Sequence, residues 1–243
     1  MRKVVLITGA ARRLGRDIAV SLAEDGCDII VNYNNSKQAD VTETIKCIEA
    51  TGSNAIAIKA DISNVTEIKK MFGKIRENFD SLDVLINNAA IFEEVDFFDI
   101  DEHIFDRFIN TNLKSVLFCS IESAKMMHKS SAIPKKIVNI ASLGAFMNWQ
   151  SYIPYSVAKA GVVKLTQLMA KRLAPDILVN AIAPGTIIIG DDKNSSVNTG
   201  DKKKYPLKRF GKSTDITSLV RYLIKENTFI TGQTIKIDGG RIL

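Results

Sequence analysis

Short apolar runs alternate with helical segments along nearly the whole chain, and this alternation limits the possible folds more than any other feature. Several runs are apolar almost throughout, as strands must be when both faces of their sheet are covered. The segments between them repeat apolar residues every three or four positions, for example at Leu14, Ile18 and Leu22, which predicts amphipathic helices. The pattern predicts the α/β class, with a doubly wound parallel sheet and helices on both of its faces. The strand candidates are KVVLIT, CDIIVN, NAIAIKA, LDVLIN, KKIVNIAS, DILVNAI and QTIKID.

The length fits one domain of this class. The chain has 243 residues, and α/β domains of roughly 250 residues occur as single units. Neither an internal repeat nor a linker rich in proline or serine divides it, so we predict a single domain over residues 1–243. One long irregular stretch, residues 187–212, contains Gly190, Gly200 and Pro206 and is predicted to form a substrate loop.

Charge and hydropathy argue against several classes of partner. The net charge is +6, but the basic residues are spread along the chain and their one dense run is Lys202–Lys204, so no nucleic-acid partner is expected. The apolar stretches are far shorter than the roughly 20 residues that cross a bilayer, which predicts a cytoplasmic protein without a membrane partner. His103 and His128 are isolated from other metal-ligating side chains, and no metal site is expected.

Residues 8–16, TGAARRLGR, follow the first strand candidate and have the form of a phosphate-binding turn. Gly9 would make the tight turn, Gly15 would let the next helix pack closely, and that helix should start near Arg13. A G-x-x-x-G-x-G pattern would place a glycine where Arg13 stands. We expect Arg13 to have a helical rather than a left-handed backbone, with its side chain at the cofactor phosphates. Gly9, Arg13 and Leu14 are the predicted cofactor contacts of this Rossmann-type turn.

The end of the second strand candidate indicates which dinucleotide binds. NAD sites commonly carry an acidic residue there, which accepts hydrogen bonds from the ribose hydroxyls. This chain has Asn34, Asn35 and Ser36 instead, whose amide and hydroxyl donors can bind a 2′-phosphate that a carboxylate would repel. With Arg12 and Arg13 at the same end of the sheet, the sequence predicts NADP(H).

The stretch from Ser142 to Lys159 carries the predicted chemistry. Tyr155 and Lys159 are four residues apart in a segment with helical spacing, so they share one helix face. Ser142 follows the apolar run Ile137–Ile140 and should lie at the ligand end of the sheet, where it can hold a carbonyl oxygen while Tyr155 protonates it. A phenol has a pKa of about 10, and we expect the Lys159 ammonium and an oxidised nicotinamide to lower it. Lys159 would also hold the ribose, and the cofactor would carry the hydride.

Together these features resemble the short-chain dehydrogenase/reductase family over nearly the whole chain. The matching segments are TGAARRLG, NNAA at 87–90, TNL at 111–113, Ser142 with YSVAK, APGT at 183–186 and TGQTIKIDGG. The resemblance implies a catalytic Asn112, which supports a proton-relay water by kinking its helix, and a homodimer or homotetramer. It also implies further cofactor contacts at Asp61, Ile62, Asn88, Ala89, Pro184, Gly185 and Ile187.

Two subfamilies compete as models for the substrate. Ser142, YPLKRFG and ITGQT are similar to 3-oxoacyl-(acyl carrier protein) reductases, whereas Phe92, YIPYSVAKAG and the arginine in TGAARRLGR are similar to pteridine reductases. In pteridine reductases a phenylalanine at the position of Phe92 stacks on the pterin, and an aspartate usually stands at the position of Ser142 to protonate a ring nitrogen. The serine therefore favours reduction of a ketone or 3-oxoacyl carbonyl, with Phe92, Ser142 and Tyr155 at the substrate. A pteridine reductase is the alternative.

A non-catalytic, NADP-sensing regulator is the third hypothesis. The complete set of Asn112, Ser142, Tyr155 and Lys159 argues for an enzyme, because a regulator without turnover has no reason to keep all four. Trp149 lies between Ser142 and Tyr155 and could either line the substrate pocket or serve packing alone.

Overall fold

The computed structural model describes residues 2–127, 134–190 and 199–243 and confirms the predicted α/β architecture. The strands in these ranges are β1 (Val4–Ile7), β2 (Asp28–Tyr33), β3 (Ala55–Lys59), β4 (Val84–Asn87), β5 (Lys135–Ile140), β6 (Ile177–Pro184), β7 (Ile187–Ile188), β8 (Gly211–Lys212) and β9 (Thr234–Ile237). Within the described residues, the main sheet has seven strands in the order β3-β2-β1-β4-β5-β6-β9, and every neighbouring pair is parallel. Each of the predicted strand runs supplies one of these strands.

Helices cover both faces of the sheet, as predicted. They are α1 (Arg13–Glu24), α2 (Gln38–Glu49), α3 (Val65–Asn78), α4 (Glu102–Ile109), α5 (Ser115–Met127), α6 (Ile153–Leu173) and α7 (Ser213–Lys225). One core contains the buried faces of α1, α2 and α7, for example Ile18 and Val220. The other contains those of α3, α5 and α6, for example Phe72 and Val162. Alternate residues of β1, β2, β4, β5 and β6 serve the two cores, which is why these strand runs are apolar almost throughout.

The strand order places a crevice at the carboxyl end of β1. The chain first adds β2 and β3 on one side of β1 and then crosses to β4 on the other side. In a doubly wound sheet, this reversal leaves an opening beyond the carboxyl ends of the two central strands, where ligands bind. The predicted site residues lie on the segments that follow the carboxyl ends of strands β1 to β6.

The predicted substrate loop, residues 187–212, is only partly irregular. Its two ends pair as the short parallel strands β7 and β8, and a 3-10 turn spans Thr199–Lys204. Just beyond that turn, the Tyr205 hydroxyl donates a hydrogen bond to Thr186 Oγ1 at 2.8 Å. Residues 191–198 lie outside the described residues. The loop is therefore anchored at its base beside the carboxyl end of β6.

None of the helices in the described parts of the chain combines the length and the apolar character that a bilayer crossing requires.

Candidate active site

The turn after β1 requires glycine at two positions. Gly9 has a φ of +63°, and a Cβ there would lie 2.8 Å from the Cβ of Ala89. A Cβ on Gly15 would collide with the carbonyl oxygen of Gly9 and lie 2.7 Å from Asn88 Nδ2. The start of α1 is thus packed directly against the turn and the end of β4, where only hydrogen atoms fit.

Arg13 does not have the helical backbone that the sequence predicted. Its φ is +54°, in the left-handed region, although α1 begins at Arg13 as expected. The turn keeps the conformation that a glycine would adopt, at a cost of about 1–2 kcal/mol for a residue with a side chain. The turn is fixed by one residue of α2 and one of α1, because Thr44 Oγ1 and Arg16 Nη2 both donate to the carbonyl oxygen of Ala11, at 2.8 and 3.1 Å. Tertiary contacts of this kind can hold a strained residue in place.

The segment after β2 carries amides and a hydroxyl at the positions where NAD sites commonly have an acidic residue. Asn32 is buried and structural, since its Oδ1 accepts from Gly9 N at 3.3 Å and its Nδ2 donates to Ala60 O at 3.1 Å. The next residues leave the sheet toward α2: Asn34 and Ser36 are half-buried, and Asn35 is exposed. Their role in binding a 2′-phosphate stays a prediction.

Thr8 connects the ends of β1 and β4. Its hydroxyl accepts from the backbone N–H groups of Asn88 and Ala89, at 3.0 and 3.1 Å. In return, Asn88 Nδ2 donates to the carbonyl oxygen of Thr8 at 2.9 Å. The side chain of Asn88, which was predicted to lie along the cofactor, therefore fixes the glycine turn. The role of Thr8 in linking the two strand ends was not predicted.

The residues after β3 and β6 lie at the same edge of the sheet. Asp61 accepts from Ser63 N at 2.9 Å, while Ile62 is buried in the α3 side of the core. Gly185 follows Pro184 at the end of β6, and its N–H donates to Ile237 O at 2.8 Å. Ile187 then begins β7. Contact of these residues with a cofactor stays a prediction.

Asn112 lies in a π-helical turn, Asn110–Lys114, between α4 and α5. It is fully buried, and both polar atoms of its carboxamide bind one residue: Nδ2 donates to Ile91 O and Oδ1 accepts from Ile91 N, each at 2.9 Å. The irregular helix implied by the family resemblance is present, and the side chain serves to hold the segment after β4.

Ser142, Tyr155 and Lys159 come together at the carboxyl end of β5. All three are buried. The Ser142 hydroxyl accepts from Gly144 N at 3.0 Å, and its interaction with the Tyr155 phenol lowers the pKa of that phenol. Lys159 Nζ donates to the carbonyl oxygen of Ile140 at 2.7 Å and lies 5.8 Å from the centroid of the Tyr155 ring. The structure therefore places a hydroxyl, a phenol and an ammonium near one another, and their catalytic roles stay a prediction.

Burial shifts both titrating groups toward their neutral forms. It raises the pKa of Tyr155 to about 12, although the hydrogen bond with Ser142 lowers that pKa. It lowers the pKa of Lys159 to about 8. Desolvation of the phenolate is the largest of these effects, and the lower phenol pKa expected with the Lys159 ammonium and an oxidised nicotinamide stays a prediction.

An aromatic wall, defined here as Phe92, Trp149 and Tyr152, stands beside Tyr155. Phe92 stacks on Tyr152 with the ring centroids 4.5 Å apart and an interplanar angle of 3°, and its ring meets Tyr155 edge-on at 4.8 Å. Trp149 lies edge-on to both Phe92 and Tyr152, at 6.3 and 5.7 Å. Gly144 makes room for it, since a Cβ there would lie 3.0 Å from the indole. The sequence singled out Phe92 and Trp149 but missed Tyr152.

His128 lies outside the described residues, which contain no cluster of three or more His, Cys, Asp or Glu side chains that could hold a metal ion.

The chain is similar to known proteins over nearly its full length. A family model described as enoyl-(acyl carrier protein) reductase matches residues 9–241. The 3-oxoacyl-(acyl-carrier-protein) reductase FabG of Staphylococcus epidermidis is 37% identical over an alignment of 246 positions, which covers 99% of each protein. An acetoin dehydrogenase from Enterobacter cloacae has a TM-score of 0.90 at 31% identity, covering 99% of this chain and 96% of that chain. A short-chain dehydrogenase/reductase from Serratia marcescens has a TM-score of 0.90 at 27% identity, covering 98% and 97%.

Proposed function

The chain belongs to the short-chain dehydrogenase/reductase family of oxidoreductases, and on that premise we propose that it reduces the ketone of a 3-oxoacyl thioester with NADPH. The observation that carries this proposal is the buried group of Ser142, Tyr155 and Lys159 at the edge of the sheet where ligands bind. A proton donor, a hydroxyl and a cation converge there beside an aromatic wall.

The residues at the turn after β1 fit a dinucleotide. Gly9 and Gly15 leave the backbone bare where a side chain would collide with Ala89 and Asn88, so a phosphate can approach the first N–H groups of α1. Arg12 and Arg13 are both exposed at that helix end and supply positive charge. The proposed contacts are Gly9, Arg13, Leu14, Asn34, Asn35, Ser36, Asp61, Ile62, Asn88, Ala89, Tyr155, Lys159, Pro184, Gly185 and Ile187. When bound, the reduced nicotinamide supplies the hydride.

The chain itself holds the carbonyl oxygen and delivers the proton. The Ser142 hydroxyl donates a hydrogen bond to the substrate oxygen, and the Tyr155 phenol transfers its proton to the same oxygen. A pKa of about 12 keeps the phenol protonated until transfer. The Lys159 ammonium, held by Ile140 O, then stabilises the phenolate by its charge, and a water chain starting near Asn112 restores the proton.

Two observations favour a 3-oxoacyl substrate over a pterin. The 37% identical relative from Staphylococcus epidermidis and a 33% identical relative from Synechocystis are both named 3-oxoacyl-(acyl-carrier-protein) reductases. Ser142 also offers a neutral hydroxyl, which suits a ketone oxygen, whereas a ring nitrogen needs a stronger acid.

We further propose a cytoplasmic homodimer or homotetramer. Exposed apolar side chains on α5 and α6, namely Ile121, Val157 and Leu168, support self-association.

The proposal is tested by turnover of acetoacetyl thioester and dihydrobiopterin, each with NADPH and with NADH at equal concentration. We expect the thioester to be reduced, with NADPH giving the higher kcat/KM. Turnover of the dihydropterin but not of the thioester would overturn the substrate assignment. A higher kcat/KM with NADH would overturn the cofactor assignment, since it would remove the case for a 2′-phosphate site.

A further inference from the structure

The segment from Ile91 to Val95, which carries Phe92, is attached at both ends. At the first end Ile91 is held by the carboxamide of Asn112. At the other end Val95 N donates to Ser151 O at 2.9 Å. The segment therefore lies between the π-helical turn and the residues that lead into α6, the helix carrying Tyr155. Its backbone path is fixed by these contacts, but the orientation of Phe92 is not.

Tyr152 fixes that orientation by two contacts from one side chain. Its ring stacks on Phe92 with an interplanar angle of 3° and the ring centroids 4.5 Å apart, and its hydroxyl donates to Glu94 Oε1 at 2.6 Å. Phe92 and Glu94 flank a single residue of the segment, so Tyr152 holds the segment on both sides of Glu93. Burial and the Glu94 carboxylate raise the pKa of Tyr152 to about 12, and the phenol therefore remains a donor.

The ring of Phe92 lies beside Tyr155, the proposed proton donor. Phe92 presents its ring to Tyr155 at 4.8 Å with an interplanar angle of 68°, yet 54% of its surface is still exposed. A half-exposed phenyl group beside the proton donor is available to contact the substrate close to its carbonyl carbon. Rotation of Phe92 out of this position would break the stack with Tyr152.

We propose that Tyr152 is a positioning residue that acts through Phe92 to set substrate specificity. In this role Tyr152 is fixed by its hydrogen bond to Glu94 and holds the ring of Phe92 in one orientation. The ring then limits the width of the substrate next to the reacting carbonyl. The wall admits unbranched 3-oxoacyl thioesters and disfavours those with a substituent on the carbon between the two carbonyls. This assignment rests on the proposed function for its substrate class and on the Tyr152 contacts for its mechanism.

The test compares KM, kcat and the preference for acetoacetyl over 2-methylacetoacetyl thioester in matched variants. Tyr152→Phe keeps the stack and loses the hydrogen bond, and we expect a roughly three- to tenfold rise in KM with kcat nearly unchanged. Tyr152→Leu loses both contacts and should further reduce the preference for the unbranched substrate. Glu94→Gln keeps an acceptor oxygen and should behave like the wild type, whereas Glu94→Ala should behave like Tyr152→Phe. Tyr222→Phe, at a half-exposed tyrosine on α7, is the control for a lost hydroxyl.

Trp149 provides a readout that needs no turnover. It is the single tryptophan of the chain and lies in the aromatic wall, so its fluorescence reports on the packing of Phe92 and Tyr152. We expect Tyr152→Leu to make Trp149 easier to quench by acrylamide, while Tyr222→Phe has no effect.

Specific results would overturn the assignment. Unchanged KM and substrate preference in folded Tyr152→Phe and Tyr152→Leu would contradict it, as would a fall in kcat alone, because Tyr152 would then act on the chemistry. A wild-type protein that reduces neither thioester would overturn the proposed function instead, and unaltered quenching of Trp149 in Tyr152→Leu would still show that Tyr152 does not hold the wall.

Discussion

The carboxamide of Asn112 and the backbone of Ile91 form a closed pair of hydrogen bonds, each 2.9 Å long. The pair joins the π-helical turn between α4 and α5 to the segment that carries Phe92. Asn112, which the family resemblance assigns to proton relay, thus also holds the segment that carries Phe92. The two roles are compatible. The side chain of Asn112 binds the backbone of Ile91, whereas the proton relay is ascribed to the irregular backbone of the π-helical turn.

Replacement of Asn112 by leucine should destabilise the protein and weaken substrate binding together. Leucine has a similar shape but leaves the N–H and C=O of Ile91 unpaired in a partly buried place, at a cost of about 2 kcal/mol or more. Urea unfolding and KM for acetoacetyl thioester measure the two effects. Asn78→Leu, at an exposed asparagine that donates to Lys74 O, is the control and should change stability by less than about 0.5 kcal/mol. Equal unfolding free energies for the two variants would contradict the structural role.

Arg13 should bind cofactor at the expense of stability. Arg13→Gly and Arg13→Ala both remove the guanidinium, but only glycine relieves the left-handed backbone at φ +54°. We expect the glycine variant to be more stable than the alanine variant by about 1 kcal/mol. Both variants should bind NADPH roughly tenfold more weakly than the wild type, because a charge-assisted hydrogen bond is lost. Thermal unfolding and nucleotide titration measure the two effects. Unaltered NADPH affinity in both would exclude Arg13 as a phosphate contact.

Two glycine-to-alanine substitutions should have opposite effects. At Gly15 a methyl group would collide with the carbonyl oxygen of Gly9 and crowd Asn88, and we expect a loss of about 3 kcal/mol or more in unfolding free energy. At Gly73, within α3, nothing lies within 4 Å of the added atom, so alanine should stabilise by roughly 0.5–1 kcal/mol. Chemical denaturation of both variants gives the comparison. A tolerated Gly15→Ala would mean that α1 does not pack on the turn as described.

The sequence predicted what depends on local pattern and strand order. Strands such as β5 were found because burial on both faces leaves a continuous apolar run, and the position of Ser142 followed from the carboxyl end of that strand, where ligands bind in a parallel sheet. The backbone of Arg13 was predicted wrongly, since the turn, which Thr44 and Arg16 hold at Ala11 O, has a left-handed residue at this position whatever its side chain. The raised pKa of Tyr155 depends on burial, which no spacing reveals.

The contact between Tyr152 and Glu94 could not be predicted from the sequence for another reason. The two residues are 58 positions apart, and they belong to segments that follow different strands. Neither residue type nor periodicity links them, so the contact becomes visible only when the carboxyl ends of β4 and β5 are brought side by side.

The dependence of stability on pH should reveal the buried Lys136 at the start of β5. Burial first, and the charge of Lys3 second, lower its pKa from 10.5 to about 8, while its ammonium donates to the carbonyl oxygen of Asn227. Between these two values the unfolded chain binds a proton that the folded chain has lost, so this lysine makes stability rise with pH there. Compared with Lys136→Met, the wild type should gain up to about 1.4 kcal/mol per pH unit across that interval.

Urea unfolding at several pH values between about 8 and 10.5 measures this difference. Lys159, Tyr152 and Tyr155 are present in both proteins, and their contributions cancel in the comparison. Stability profiles that run parallel for wild type and Lys136→Met would show that Lys136 keeps its ordinary pKa in the folded protein.

The most direct test of the central claim is the rate of NADPH-dependent reduction of acetoacetyl thioester by Tyr155→Phe. Phenylalanine keeps the buried ring and removes only the proton donor. Energy transfer from Trp149 to the reduced nicotinamide checks that the variant still binds NADPH. If Tyr155 protonates the carbonyl oxygen, kcat falls by about a hundred- to ten-thousand-fold at saturating NADPH, and the energy transfer shows that the nucleotide is still bound. A kcat within about tenfold of the wild type, with NADPH still bound, would contradict the account.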